Sequence, residues 1–301
     1  MRKFLFKVFI FLAGLVVMDI LVGLGAKYLV NHAKGGTTRL CTYICHSMEE
    51  ECLVFGSSRG QDHYDPDIIA DSLGMSCWNC SKGGNGIILM YGRYVQIANR
   101  YTPRLIVYDV TMSFDLLAND NSKYLGYLRY FYDVPGIDSI FWSVDKNERY
   151  KMLSHLYQYN SSLQQLVADN IHPFLTHIKG YIPEDKKMTY KPKVSVLKYE
   201  DAEYDPLKLA YLEKLAVACR QKGTQLVFTI SPCFGQTDDS VYKPLKDLCR
   251  KYDIVLLNHY CDSEFVYDEN LFKDSVHMNR AGATKYTKKL TSELKEALKR
   301  P

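Results

Sequence analysis

An α/β domain, with a parallel sheet wrapped in helices and an apolar segment in front of it, is the architecture predicted for this chain of 301 residues. Three observations predict it. Short apolar runs alternate with helical apolar periods in the first third of the chain and again after residue 204. A composition of 47% apolar and 24% charged residues suffices for a large core, and no repeat or low-complexity tract interrupts it. The two polar clusters with chemical potential fall at the end of an apolar run and just before the last helix, where ligands of such sheets lie.

Residues 1–34 comprise a short tail and an apolar segment. Arg2, Lys3 and Lys7 precede a run over 8–26 whose single charge is Asp19, and Lys27 comes directly after it. Crossing hydrocarbon takes about 20 mainly apolar residues, a length reached here only with Asp19 included. An uncleaved membrane anchor is the expectation. A cleaved signal is the rival, since Gly23, Gly25 and Ala26 would permit processing, although signal apolar regions usually run only about 7–15 residues. A buried or interfacial helix is the third reading. Asp19 is costly in lipid and marks either a partner helix or a shallower placement. A very short basic head before a first apolar segment favours export of the downstream domain. The expected location is therefore the bacterial cytoplasmic membrane, single-pass, with the domain on the extracytoplasmic side.

Residues 35–51 read as a linker ending in Glu49-Glu50-Glu51. A first strand is expected at 52–55, where Cys52-Leu53-Val54-Phe55 runs into Gly56. Pro66 opens a helix to Leu73. A weak second strand lies at 75–78, and Gly83, Gly84 and Gly86 open onto a helix at 87–97. A third strand at 104–108 ends at Asp109. The stretch from about 113 to 204 does not fit one βα repeat. It is aromatic from Tyr124 to Phe141, helical from about 146 to 177, and looser around Pro183 and Pro192. It reads as an insertion or cap over the active face of a domain spanning 52–301. Alternation then resumes: a helix at 207–222 stopped by Gly223, a strand at 225–230 ended by Ser231-Pro232, a helix at 239–251, a strand at 254–257 and a last helix at 283–299.

Charge and cysteines exclude several classes. The formal charge of +4 is spread along the chain, with no basic run interleaved with aromatics, so nucleic acid is not an expected partner. The nine cysteines are either buried thiols or include one or two disulfides, with Cys41–Cys45 and Cys77–Cys80 the closest candidates. Cys77-Trp78-Asn79-Cys80 lacks the second pair of a zinc site and the surroundings of a redox centre. No metal or cofactor is expected.

The chemistry rests on two clusters, Phe55-Gly56-Ser57-Ser58-Arg59 and Asp274-Ser275-Val276-His277, the latter followed by Asn279 and Gly282. A serine hydroxyl needs a base to become a nucleophile. His277 is the natural base for Ser58, and Asp274, three residues before it, can reach the far ring nitrogen. Read blandly, Ser57 and Ser58 cap the next element, and Asp-x-x-His is a surface helix start. Arg59 either binds an anionic substrate or pairs with an acid such as Asp62. Asp62-His63 reads as a solvated loop and Asn279 as a loop or helix-capping residue, while His259, near the end of the 254–257 strand, is only a secondary candidate for substrate contact.

With those residues in place, the chain resembles the SGNH (GDSL-like) hydrolase superfamily, especially membrane-anchored cell-envelope members related to alginate and teichoic-acid acyl-transfer proteins. The resemblance covers roughly 52–110 and 224–299. It implies a three-layer, flavodoxin-like sheet and selects Ser58 over Ser57 as nucleophile, with Asp274 and His277 completing the site. It implies an oxyanion hole from the Ser58 N–H and a glycine N–H, Gly84 or its neighbour Gly83. The family's Gly-x-Asn-Asp block is absent; Tyr108-Asp109-Val110-Thr111 stands in its place, and Asn85 is the substitute donor. Loss of one such donor costs about 3–4 kcal/mol in a working site. The implied activity is a serine esterase or O-acyltransferase acting on acetyl esters of an acylated glycan or lipid-linked sugar, with a membrane protein as a candidate partner. The alternative is an SGNH-shaped binding or assembly subunit without catalysis.

Overall fold

Five short apolar runs lie side by side, all parallel, in a computed structural model that describes residues 1–171, 179–190 and 192–299. The chain opens with α1 (Arg2–Asn31) and α2 (Gly36–His46). Strand β1 (Cys52–Gly56) leads into α3 (Ser58–His63) and α4 (Pro66–Leu73), and β2 (Cys77–Asn79) into α5 (Ile87–Ala98). Strand β3 (Leu105–Asp109) is followed by short helices: α6 (Met112–Asp115), α7 (Ile137–Val144), α8 (Glu148–Lys151), α9 (His155–Tyr159) and α10 (Leu163–Ile171). Then come α11 (Pro206–Lys222), β4 (Gln225–Ile230), α12 (Lys243–Tyr252), β5 (Val255–Asn258) and α13 (Arg280–Leu298).

The sheet order is β2-β1-β3-β4-β5, the flavodoxin-like order. Cys52 lies beside Cys77 on one side and Leu105 on the other, and Gly56 lies beside Asp109. Every residue of β1 and β3 is buried, as central parallel strands covered on both faces require. Alternate side chains serve opposite faces. Cys52, Val54, Leu105, Val107 and Val227 pack with Ile69 of α4 and with Tyr286, Leu290 and Leu294 of α13. Phe55, Tyr108 and Phe228 meet edge to face, with centroids 6.2 and 5.8 Å apart, on the side of α5 and α11. The expected three-layer α/β sheet is thus the observed one.

Departures from expectation have local causes. The stretch 35–51 contains α2, because Leu40, Cys41, Ile44 and Cys45 recur at helical spacing and are buried. The second strand starts at Cys77, since Gly74 ends α4 in a left-handed cap. The helix expected at 239–251 begins as a tight turn, Ser240–Tyr242, before α12. The helix expected from 146 is broken at Ser154, which caps α9 by accepting the Tyr157 N–H; its expected end at 177 lies outside the described residues. All nine cysteines are thiols, and all but Cys261 are buried.

The described residues group into two units, 1–47 with 125–171 and 48–124 with 179–299, so the segment expected as a cap is divided between them. Within the first unit α1 has two halves. Residues 1–18 are exposed throughout, whereas Asp19, Gly23, Ala26 and Val30 form a stripe of covered positions. The Asp19 carboxylate accepts from the Ser154 hydroxyl (2.7 Å), the His155 N–H (2.9 Å), the Leu156 N–H (2.8 Å) and the His155 ring (3.0 Å). The partner that Asp19 marks is therefore α9 of the same chain. A Cβ on Gly23 would fall 2.3 Å from the His155 ring, so glycine there permits the contact. Helix α1 is long and apolar enough to cross a membrane.

Gly56 ends β1 at φ +155, and a Cβ there would meet the Asp109 carbonyl oxygen at 3.0 Å. Gly56→Ala is expected to lower stability by roughly 1–3 kcal/mol, read as a fall in the urea midpoint of the detergent-solubilised protein. An unchanged midpoint would show that the strand end relaxes freely.

Candidate active site

The chain leaves β1 at Gly56 and starts α3 at once, placing Ser58 in its first turn at the carboxyl edge of the sheet. Ser57 occupies the capping position but makes no side-chain cap. The Ser58 hydroxyl lies 2.7 Å from His277 Nε2. His277 Nδ1 lies 3.0 Å from each oxygen of Asp274. A ring nitrogen facing a carboxylate carries the hydrogen, which leaves Nε2 to accept the Ser58 O–H. Asp274 also accepts the N–H groups of Val276 and His277, each at 2.8 Å. Partial burial pushes the Asp274 carboxyl up, but the imidazole and these two amides outweigh it and hold the group well below the usual carboxylate range. Asp274 is thus an anion throughout the neutral range.

The loop carrying Asp274 and His277 is fixed from below. Phe272 and Met278 form a bridge, and the Lys273 N–H donates to the His277 carbonyl at 2.9 Å. Lys273 Nζ pairs with Asp62 (3.0 Å) and Glu184 (2.8 Å). The Met278 N–H donates to His63 Nε2 at 2.8 Å, and His63 Nδ1 meets the Ser231 hydroxyl at 3.0 Å. Asn279 caps α13 by accepting the Gly282 N–H (3.1 Å), as expected of it. A Cβ on Gly282 would fall 2.1 Å from the Leu271 carbonyl oxygen, which is why the close turn holds glycine.

Beside Ser58 lies a turn from Lys82 to Asn85, closed by the Asn85 N–H on the Lys82 carbonyl (3.1 Å). Gly84 occupies its third position at φ +72, the left-handed residue of a type II turn. A Cβ on Gly83 would stand 3.7 Å from the Ser58 Cβ, which sets the turn against the serine. Gln61, one turn along α3 from Ser58, secures it by accepting the Gly83 N–H at 3.1 Å.

Four sequence expectations are corrected. Asn85 does not turn its amide to Ser58; its Nδ2 donates to the Gly83 carbonyl at 3.0 Å and holds the turn together. Arg59 is not open to a substrate: it is 1% exposed. Its guanidinium donates to the carbonyls of Val110 (2.7 Å) and Ser231 (3.2 Å) and lies 3.4 Å from Asp109, the acid that replaces the expected Asp62. His259 is buried against α13, with Nε2 2.9 Å from Glu293, and does not reach Ser58. Asp62 and His63 are buried on α3 rather than solvated in a loop. Sequence reasoning missed His63, Gln61 and Lys273 as supports. The only signal for His63 was its place one helical turn and a half after Ser58, which has no meaning until that segment is known to be helix. Among the described residues no three His, Cys, Asp or Glu side chains converge as metal ligands.

No family model matches this chain, and no curated protein matches it. Solved structures similar to it include an inferred acylhydrolase from Bacteroides fragilis, 13% identical, with 88% of this chain and 98% of that one covered and a TM-score of 0.43. The acetyl xylan esterase AlAXEase is 10% identical over 82% of this chain and 98% of its own, with a TM-score of 0.40. Axe2, an acetylxylan esterase from Geobacillus stearothermophilus, is 10% identical over 81% and 93%, with a TM-score of 0.41.

Two outcomes are expected of the supporting residues. Arg59→Met strips the buried Asp109 of its cation and should cost about 3–5 kcal/mol in denaturant unfolding; an unchanged stability would mean that Asp109 is satisfied without it. Burial, with His277, Arg59 and Lys273 nearby, holds His63 well below its ordinary 6.5. A depressed folded value contributes stability that is present above 6.5 and lost as pH falls below it. Urea midpoints measured between pH 7.5 and 5 should therefore fall, and His63→Gln should flatten that fall; an identical slope in the variant would assign the acid sensitivity elsewhere.

Proposed function

We propose that this chain is a membrane-tethered serine esterase or O-acyltransferase of the SGNH type, acting on acyl esters, acetyl foremost, of a cell-envelope glycan. The observation that carries the reading is the alignment of Ser58 Oγ, His277 Nε2, His277 Nδ1 and the Asp274 carboxylate in one continuous hydrogen-bonded chain. It stands at the carboxyl edge of a parallel sheet, where such folds place their chemistry.

Nucleophile, base and acid in this reading are the three members of that hydrogen-bonded chain. Ser58 Oγ attacks the ester carbonyl carbon as its proton passes to His277 Nε2. Charge develops on the carbonyl oxygen, which the Ser58 N–H and the Gly84 N–H receive. Asp274 holds the ring in the required tautomer and balances the imidazolium. The alcohol leaves with the proton from Nε2, and the acyl group remains on Ser58. A second hydroxyl, from water or from a sugar, then gives its proton to Nε2 and attacks the acyl carbon, freeing Ser58. Water makes the reaction hydrolysis; sugar makes it transfer.

The envelope setting is supported by α1, which is long and apolar enough to cross a membrane and exposed all round over residues 1–18. With a very short basic head before that segment, the proposal sets the domain on the extracytoplasmic side. An acylated glycan or lipid-linked sugar within reach of a membrane fits that placement.

A fluorophosphonate probe should label Ser58 in the detergent-solubilised protein, located by mass spectrometry, and labelling should vanish in Ser58→Ala and His277→Ala. Asp274→Asn should slow labelling by roughly 10²–10⁴-fold. A folded parent that stays unlabelled would overturn the catalytic reading and leave the chain as a binding or assembly subunit.

A further inference from the structure

Only part of α1 is free to face lipid alone. From Asp19 onward one side of the helix is covered by its own unit, while residues 4–18 are exposed all round. That free part spans ~22 Å at about 1.5 Å per residue, and Lys7 shortens its apolar portion further. The hydrocarbon core is ~30 Å thick. The free half is therefore too short to cross by itself, and the lipid boundary has to pass Asp19.

The structure level with Asp19 is fixed by its hydrogen bonds. Its carboxylate holds the start of α9 through Ser154, His155 and Leu156. The segment leading into that cap carries large apolar side chains with nothing over them: Leu153 is 76% exposed, Tyr150 59% and Leu156 44%. Together with Leu15, Val16 and Met18 of α1 they line an open cleft of about 700 Å³, with Asp19 and His155 at its base. The cleft is continuous with the exposed face of α1.

We infer that residues 150–156 dip into the bilayer beside α1, so that hydrocarbon chains cover Leu153 and Leu156 and fill this cleft. The inference rests on the reading of α1 as a membrane anchor. It explains two features at once. The charge in the apolar helix is tolerated because four donors meet it inside the protein rather than in lipid. The exposed leucines are the continuation of the spanning surface, which supplies the missing length. Tyr150, with an apolar ring and a polar end, suits the boundary, and its hydroxyl accepts a hydrogen bond from Arg149.

Leu153→Cys or Leu156→Cys, in full-length protein carrying Cys261→Ser, can be labelled with an NBD maleimide under native conditions, since the other native cysteines are buried. Leu12→Cys, in the free half of α1, is the reference for a spanning position. In phosphatidylcholine vesicles the apolar surroundings should blue-shift the label at 153 and 156, and lipids carrying acyl-chain nitroxides should quench it, to an extent comparable with that at 12. Quenching at 12 but not at 153 or 156 would overturn the inference and leave the anchor intact; if crosslinked dimers form through those cysteines, the cover is a second copy instead. No quenching at 12 would overturn the anchor itself and this inference with it.

Discussion

The buried pair of Arg59 and Asp109 is the constraint on which the candidate site depends. Arg59 is next to Ser58 in the chain, so its placement fixes the start of α3. Its guanidinium reaches the carbonyls just past β3 and β4, at Val110 and Ser231. Asp109, at the end of β3, accepts in addition from the Tyr64 hydroxyl (2.7 Å) and the Ser231 N–H (2.8 Å). One ion pair thereby ties the carboxyl ends of neighbouring strands to the helix that presents the serine. Such a pair is rarely a source of net stability, because desolvation offsets most of the attraction. Its consequence is specificity of placement: with either partner removed, the other is left charged in the core. The residue that stands where a Gly-x-Asn-Asp block would sit is therefore committed inward.

His277 is carried by the same support as Ser58. Asp62 and His63 lie on α3 with Ser58, and they hold the last loop at Lys273 and Met278 respectively. Helix α3 thus bears Ser58 directly and His277 through these two contacts, and the pair lies 2.7 Å apart. Gln61 extends the arrangement to the third component, the Gly83–Gly84 turn. Six consecutive residues, Ser58 to His63, consequently touch every part of the site. Catalytic constellations tolerate displacements of about 0.5 Å, and a common support is the simplest way to keep within that limit.

Much of this was legible in the sequence, for physical reasons that differ by element. The strands announced themselves because central parallel strands are continuous apolar runs, and Val54, Ile106 and Val227 lie in such runs. Asp274 and His277 were legible because an acid three residues before a histidine can share one turn with it, while the resemblance selected Ser58; in the structure His277 lies within hydrogen-bond reach of both. The partners of Arg59 and His259 were hidden in the sequence for one reason, whereas Asn85 is held by its near neighbour Gly83. Sequence shows that a polar side chain exists near a strand end but not whether it points outward or under the sheet. Partners distant in sequence decide that: Asp109 for Arg59 and Glu293 for His259. The segment 35–51 looked like a linker because its apolar residues are few, yet four of them fall on one helical face.

Asp19 obeys the rule that governs Asp109. An ionised carboxylate in a low-dielectric setting persists only where donors replace its water. Arg59 and the strand-end amide of Ser231 do this for Asp109; the first turn of α9 does it for Asp19, through two backbone N–H groups, a hydroxyl and a ring nitrogen. The orphan N–H groups at a helix start need an acceptor as much as the carboxylate needs donors. Each cancels the other's desolvation cost, so the contact is stable where water is scarce. A second helix is then bound to α1 at a fixed height, and Gly23 lets them approach closely. The charge that interrupts the apolar run of α1 is thus what joins that helix to the rest of its unit.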